Sequence, residues 1–331
     1  MSLFINKIKV LALAFMSLTL LSGCVTIVKK SRDARVKKRS FDRHAHAIIK
    51  KKLPREAFEK RGPFGYQYHA DMTIDISQNE SLEADFIQTT AAGKAPLLIF
   101  IHGNHSKKEV HSFQAQRLST WGFHALSIDV PNRKQWVENG DRVLRLVKYI
   151  HAHPEDLSDQ IDTSKIILVG HSFGGSASII AAGSGAPVAG LILLDPAVVD
   201  PVVEEKMTKV KAPVILLGAD KKIYKARKRR QFFRKIKSPM IELSIVNTTH
   251  DEAQFPSLCS LYALGFECYS RDNQKLFTSA ITVSAYSLTV TQRLNYAWTT
   301  FKESARQGTF KEMKIKGTKV KGPSRMISSS K

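Results

Sequence analysis

One pentapeptide constrains this chain more than any other feature, because residues 170–174 read G-H-S-F-G. Four apolar residues before it, Ile166 to Val169, predict a buried strand, and a helical segment begins soon after it at Ser176. A G-x-S-x-G pattern between a strand and a helix is typical of a nucleophile elbow, in which a strained turn exposes the serine hydroxyl. We therefore predict Ser172 as a nucleophile. The backbone N–H of Phe173, at the start of the helix, is the predicted donor to an oxyanion.

A serine hydroxyl is a weak nucleophile unless a base lies beside it. The candidate base is His250, the last of the 11 histidines, which follows the final predicted strand, Ile241 to Val246. Two aspartates that end predicted strands are candidates for the acid that orients this base. Asp195 lies 23 residues after the serine and Asp220 lies 48 residues after it. Because aspartate also caps helices and forms turns, one of the two is expected to be structural.

The loop after the apolar strand L-L-I-F-I supplies a second predicted oxyanion donor. It reads His102-Gly103-Asn104, in which the glycine permits a turn and the N–H of Asn104 can face the serine. His102 and His171 are interpreted as structural residues that orient their own turns. This chemistry requires no metal and no organic cofactor.

The remaining pattern predicts an α/β fold. Predicted strands alternate with predicted helices, which favours a mainly parallel sheet covered by helices on both faces. Two N-terminal strands, Asp71 to Ser77 and Ala84 to Thr89, are expected to pair antiparallel. Helical segments are expected around Ile223 to Phe233 and Leu276 to Phe301. Only 18 residues separate the strand that ends at Leu194 from Pro213, so we expect no large lid.

The ordered motifs H-G-N, G-H-S-F-G-G, L-L-D-P, G-A-D and T-H-D together resemble the α/β-hydrolase superfamily. The resemblance covers roughly residues 66–301 and is closest in pattern to dienelactone-hydrolase-like, chlorophyllase-like and platelet-activating-factor-acetylhydrolase-like esterases. It implies a Ser-His-Asp triad that cleaves carboxylic esters through an acyl-enzyme intermediate. The latter two groups carry the acid on the strand after the elbow, which favours Asp195. Polyester hydrolases carry it one strand later, which leaves Asp220 as the alternative.

The N-terminus has the pattern of a secretory signal. Two lysines precede an apolar run from Val10 to Leu21, and small residues follow. The quartet Leu21-Ser22-Gly23-Cys24 resembles the lipobox of bacterial lipoproteins, whose cysteine is acylated and becomes the first residue of the mature chain. We therefore expect residues 1–23 to be a signal peptide and Cys24 to carry the lipid. Such a protein would be anchored in the bacterial cell envelope and face the periplasm or the exterior.

An uncleaved membrane anchor is the alternative for this segment. Val10 to Val28 is a stretch of 19 residues without charge, near the length that spans a bilayer. A dense basic run follows and favours retention of that side in the cytoplasm. The remaining two cysteines, Cys259 and Cys268, form an even pair and are consistent with one disulfide in an oxidising compartment or with two free thiols.

The chain carries 51 Lys and Arg against 29 Asp and Glu, but the excess is local. Residues 29–62 hold 14 basic side chains, residues 221–237 hold 10 and residues 302–331 hold 9, with 6 acidic side chains among the three segments. Apart from these and two N-terminal lysines, the chain is mildly acidic. This distribution argues against a nucleic-acid groove through the active site and favours contact with an anionic surface, such as a membrane.

The predicted organisation is therefore a signal peptide (1–23), a basic tether (24–65), a hydrolase domain (66–301) and a basic, unstructured tail (302–331). The expected substrate is a small or lipid-like ester. Two alternatives from other classes remain at this stage: a non-catalytic envelope-binding lipoprotein with a vestigial triad, and a nucleic-acid-binding protein. Neither explains Ser172 and His250 in matching positions.

Overall fold

The computed structural model describes residues 40–131, 135–221, 229–262, 265–291 and 294–317. The predicted signal peptide, Cys24 and the first part of the tether lie outside the described residues, as do residues 222–228 and 318–331. Eleven strands are present in the described part of the chain: β1 (Tyr66–Ser77), β2 (Glu80–Thr89), β3 (Ala95–Ile101), β4 (His124–Ile128), β5 (Ile161–His171), β6 (Gly190–Leu194), β7 (Val214–Ala219), β8 (Met240–Ile245), β9 (Cys259–Tyr262), β10 (Gly265–Cys268) and β11 (Phe310–Lys316).

Eight α-helices accompany these strands in the described part of the chain. They are α1 (Ser40–Lys51), α2 (Ser112–Thr120), α3 (Trp136–Ala152), α4 (Phe173–Gly183), α5 (Pro201–Lys209), α6 (Arg229–Lys235), α7 (Arg271–Tyr286) and α8 (Asn295–Arg306).

Nine strands form one sheet in the order β1-β2-β4-β3-β5-β6-β7-β8-β11. In this order the six central strands, β4-β3-β5-β6-β7-β8, are parallel. The outer strands β1, β2 and β11 run antiparallel to their neighbours. The predicted antiparallel start of the sheet and its mainly parallel centre are both confirmed. Because the carboxyl ends of parallel strands meet at one edge, the ends of β5, β6 and β7 place Ser172, Asp195 and Asp220 on the same side of the molecule.

Helices cover both faces of this sheet, as predicted. Alternate residues of β3 show the division: Leu98 and Phe100 pack with α1, α2, α7 and α8, whereas Leu97 and Ile99 pack with α3 to α6. Central strands that are buried on both faces explain the continuous apolar runs in the sequence. Between β6 and β7 the chain forms only the nine-residue helix α5, which agrees with the prediction of no large lid.

The fold extends beyond both predicted ends of the hydrolase domain. The domain extends at least to residue 40, because Phe41, Ala45 and Ile48 on one face of α1 are buried in the core. At the other end, residues 310–316, predicted as unstructured, form β11 against β8. Lysines on an exposed edge strand are a common protection against edge-to-edge association, so a Lys-rich segment is compatible with a strand here.

The predicted helix from Leu276 to Phe301 is also not continuous. It is divided into α7, a π-helical turn over Ser287–Thr291, and α8. The helix predicted from Ile223 to Phe233 begins, as far as the described residues go, with α6 at Arg229 and runs on to Lys235. None of the helices among the described residues is long and apolar enough to cross a membrane.

Candidate active site

Ser172 occupies the sharp turn between β5 and α4. Its backbone has φ 52° and ψ −117°, an unfavourable conformation for a residue with a side chain. The two flanking glycines are required by close contacts. A Cβ on Gly170 would lie 2.4 Å from the carbonyl oxygen of Gly174, and a Cβ on Gly174 would lie 2.2 Å from that of Ile101. The sequence therefore folds into the predicted elbow, with Ser172 held at its apex and 7% exposed.

The backbone segments that carry the two predicted oxyanion donors lie next to the serine. Phe173 is the first residue of α4, where N–H groups have no intrahelical acceptor. Gly103 packs directly against the serine, since a Cβ there would lie 2.9 Å from Ser172 Cβ. Asn104 is the next residue in this loop and is half-buried. The two predicted donors therefore lie on the two loops that adjoin the serine.

His102 fixes the loop that carries the second donor. Its Nδ1 lies 2.7 Å from the carbonyl oxygen of Gly103, to which it donates, and its Nε2 accepts from the N–H of Val130 at 3.1 Å. Both ring nitrogens of a neutral imidazole are thereby used. The structure agrees with the interpretation of His102 as a structural residue rather than a base.

His250 lies beside the elbow and pairs with Asp195. The Nδ1 of His250 lies 2.7 Å from Asp195 Oδ2, and the imidazole is 5% exposed. The other carboxylate oxygen of Asp195 accepts from the N–H of Ala219 at 3.1 Å, which orients the carboxylate. A carboxylate on Nδ1 leaves Nε2 as the nitrogen that can take a proton from a substrate or nucleophile.

Asp220 has a different set of partners. Its carboxylate accepts from the N–H of Asn247 at 3.2 Å and forms an ion pair with Lys311 on β11. Asn247 has φ 59°, so Asp220 supports the tight turn that leads from β8 towards His250. The structure therefore brings Asp195 to the imidazole of His250, whereas the contacts described for the Asp220 carboxylate are with Asn247 and Lys311.

Sequence reasoning missed one polar residue that reaches this site. Gln254, four residues after His250, is buried and directs its amide to His171. His171 in turn hydrogen-bonds the backbone of His250. A lone glutamine in a loop carries no sequence signal of its own, so only the three-dimensional arrangement reveals it.

One group of three residues among those described has the spacing to hold a metal ion. Ligand atoms of His171, His250 and Asp251 all lie within 4.8 Å of one another. These groups already have hydrogen-bond partners: His171 uses both ring nitrogens, His250 uses Nδ1, and Asp251 accepts from the hydroxyl of Tyr269 at 2.6 Å. A metal ion would have to displace those bonds, so the donor set fits a hydrogen-bonded site better than a metal centre.

Burial lowers the pKa of the imidazoles of His102, His111, His124 and His171. For His111 and His124 the pKa falls to about 4. The folded protein therefore binds fewer protons than the unfolded chain once the pH falls below the ordinary histidine pKa of about 6.5.

These pKa values predict a loss of stability in mild acid. The free energy of unfolding should be nearly constant above pH 7 and fall as the pH decreases from about 6.5 towards 4, with His111 and His124 each contributing on the order of 3 kcal/mol to the total loss. Urea denaturation at pH 7.5, 6 and 5 measures this dependence. An unfolding free energy that is the same at pH 7.5 and pH 5 would contradict the neutral, buried state of these histidines.

The two C-terminal cysteines lie on opposite strands of a small hairpin. Strands β9 and β10 are antiparallel, and their register pairs Cys259 with Cys268. This pairing is compatible with the predicted disulfide, which stays a prediction.

The chain matches the model of a known family. The model of the alpha/beta hydrolase family matches residues 98–277, just over half of the chain, and this range includes Asn104, Ser172, Asp195 and His250. The chain is therefore a member of the alpha/beta hydrolase family, and membership supports a hydrolytic enzyme. A comparison with curated proteins gave no significant match.

Proposed function

We propose that this protein is a serine hydrolase that cleaves carboxylic esters through an acyl-enzyme intermediate. The observation that carries the proposal is the placement of the His250–Asp195 pair beside the elbow of Ser172. His250 is linked to that elbow through His171, the residue next to the serine, whose Nε2 lies 3.0 Å from the backbone oxygen of His250. A nucleophile next to a base, with the base oriented by a carboxylate, is the arrangement that acyl transfer requires.

In the proposed reaction the oxygen of Ser172 attacks the ester carbonyl while His250 Nε2 takes the serine proton. Asp195 holds Nδ1–H and stabilises the imidazolium that forms. The N–H groups of Phe173 and Asn104 bind the developing oxyanion. When the intermediate collapses, the bond to the alkoxy oxygen breaks and the imidazolium protonates the leaving alcohol. Water then attacks the acyl-serine by the same route, which releases the carboxylic acid and restores the serine.

The neighbourhood of the nucleophile supports an ester with an apolar group. The ring of Phe173 is half-buried beside the serine and packs edge-on against Trp136, with ring centroids 5.3 Å apart. The short connection between β6 and β7 has no large insertion. Among the described residues, no lid domain from this connection covers the edge of the sheet where the strands end at Ser172 and Asp195. Both features favour substrates that approach from the open edge of the sheet.

Hydrolysis of p-nitrophenyl esters with acyl chains of two to sixteen carbons tests this proposal. We expect turnover with a chain-length optimum. For the best ester we expect an initial burst of nitrophenol that is stoichiometric with enzyme, since acyl-enzyme accumulates when deacylation is slow. Hydrolysis that is no faster than the uncatalysed reaction for every chain length would refute the esterase activity.

We also propose that the mature protein is lipid-anchored in the bacterial envelope through Cys24. The lipobox pattern accounts for this cysteine, and acylation with two or more chains gives stable anchoring. The basic run that follows the cysteine would add contacts with anionic lipid headgroups. No nucleic-acid partner is proposed.

This anchor predicts a specific mature N-terminus. Mass spectrometry of the membrane fraction should find a chain that begins at Cys24 and carries acyl groups, whereas Cys24→Ser should accumulate as the unprocessed precursor. The same sample should contain a Cys259–Cys268 disulfide if the domain lies outside the cytoplasm. A chain that begins at residue 1 in the membrane fraction would instead support the uncleaved anchor.

A further inference from the structure

A buried chain of hydrogen bonds joins the nucleophile elbow to the loop of the proposed base. His171, 1% exposed, has its Nε2 3.0 Å from the backbone oxygen of His250. On the other side of the ring, Nδ1 lies 2.5 Å from the side-chain nitrogen of Gln254, which is 4% exposed. The imidazole of His171 therefore links His250 to Gln254 through hydrogen bonds, and His171 directly precedes Ser172 in the chain.

The partners of His171 define its protonation state. A carbonyl oxygen only accepts, so Nε2 must carry a proton; an amide NH₂ donates, so Nδ1 must present its lone pair. His171 is thus a neutral imidazole with its proton on Nε2. The opposite orientation of the Gln254 amide would require a second proton on the ring, and burial opposes such a charge.

The charged and titratable groups around His171 favour the same state. The centroid of the His250 ring lies 4.5 Å from that of His171, and the centroid of the His111 ring lies 6.3 Å from it. Electrostatic repulsion from these two histidines and from His102 opposes a positive charge on His171. Two acidic groups of the described residues face this cluster: Asp251, which has a ligand atom within 4.8 Å of those of His171 and His250, and Asp195, which pairs with His250. Burial and the neighbouring histidines together keep the pKa of His171 well below its usual value of 6.5.

We propose that His171 and Gln254 form a clamp that positions the base: Gln254 holds the neutral tautomer of His171, and His171 holds the main chain of His250 against the elbow. This inference rests on the proposed function. The clamp joins the loop of His250 to the turn that carries Ser172, and so holds the distance between base and nucleophile. This distance matters because displacement of a reacting group by about 1 Å can cost on the order of 10² in rate. A neutral clamp also avoids repulsion of the positive charge that His250 acquires when it takes the serine proton.

Two substitutions of His171 separate positioning from packing. His171→Phe keeps a ring of similar size but removes the donor, and we expect kcat to fall by about 10- to 100-fold with little change in KM. His171→Gln retains an N–H near the position of Nε2 and cannot be protonated, and it should recover most of that loss. Thermal midpoints and activity per folded molecule exclude unfolding as the cause.

Two substitutions of Gln254 test the protonation state. Gln254→Glu places a carboxylate on Nδ1, which stabilises a charged His171, so the acid limb of the kcat/KM profile should move up by about one pH unit or more. Gln254→Met, uncharged and similar in size, should leave that limb in place. As a readout independent of activity, ¹⁵N NMR of the histidine rings in Ser172→Ala should show the neutral Nε2–H tautomer of His171 down to pH 5.

The possible failures are distinguishable. Wild-type kcat in a folded His171→Phe, an unshifted profile in Gln254→Glu, or a charged His171 at pH 5 would overturn the clamp while leaving the esterase proposal intact. Absence of any Ser172-dependent hydrolysis in the wild-type protein would refute the proposed function and, with it, the role assigned to the clamp.

Discussion

Replacement of Ser172 by Ala is expected to lower kcat for ester hydrolysis by about 10⁶-fold, because removal of the nucleophile of a triad costs about as much as removal of the whole triad. The substitution removes the attacking oxygen, and the remaining donors and binding surface leave only a residual acceleration of about 10³ to 10⁴ over water. The fold should persist, because the turn at residue 172 is held by backbone hydrogen bonds from its N–H to Leu194 and from Ala197 to its carbonyl oxygen.

Ser178 provides the matched control. It is a buried serine on α4, the helix that follows the elbow, and its hydroxyl donates to the carbonyl oxygen of Gly174 at 2.8 Å. Ser178→Ala removes a hydroxyl of the same kind at a position that takes no part in the proposed reaction, so it should change stability by about 1 kcal/mol and leave kcat unchanged. Equal activity of folded Ser172→Ala and Ser178→Ala would exclude Ser172 as the nucleophile.

The second large effect is expected at Asp195. Asp195→Asn should lower kcat by up to about 10⁴-fold while the protein remains folded, because an amide cannot stabilise the imidazolium and favours the wrong tautomer of His250. The 2.7 Å contact between Asp195 Oδ2 and His250 Nδ1 is the physical basis of this expectation. Measurement of kcat together with the thermal midpoint separates the catalytic loss from instability.

Asp220→Asn is the control for that substitution. It weakens a partly exposed ion pair with Lys311, so the expected cost is about 1 kcal/mol or less of stability, with kcat per folded molecule nearly unchanged. A collapse of kcat in folded Asp220→Asn, with full activity in Asp195→Asn, would reverse the assignment of the acid.

The elbow and the position of His250 could be predicted from sequence because each has a local signal. The pentapeptide at residues 170–174 tolerates little variation where strand and helix backbones touch, and His250 follows the last parallel strand directly. The choice between Asp195 and Asp220 had no local signal, since both residues follow buried parallel strands, and only the resemblance favoured Asp195. In the structure the carboxylate of Asp195 contacts the imidazole of His250, while that of Asp220 contacts Asn247 and Lys311.

The missed elements lack the regular patterns that sequence reasoning uses. In β11 a register shift between Lys311 and Lys314 interrupts the alternation of apolar and polar residues, so the strand looks like a basic tail. In α1 only Phe41, Ala45 and Ile48 are both apolar and deeply buried, within a segment that is otherwise rich in charge. Gln254 acquires its place through a contact with residue 171, which no pattern around residue 254 encodes.

The most direct test of the account is active-site labelling with a fluorophosphonate, followed by mass spectrometry of the modified peptide. The reagent reacts only with a serine that an adjacent base activates. The account predicts one phosphonyl group per folded molecule, located on Ser172, with no labelling of heat-denatured protein or of Ser172→Ala. A folded wild-type protein that resists labelling, or a label on another residue that persists in Ser172→Ala, would contradict the claim that this chain is a serine hydrolase.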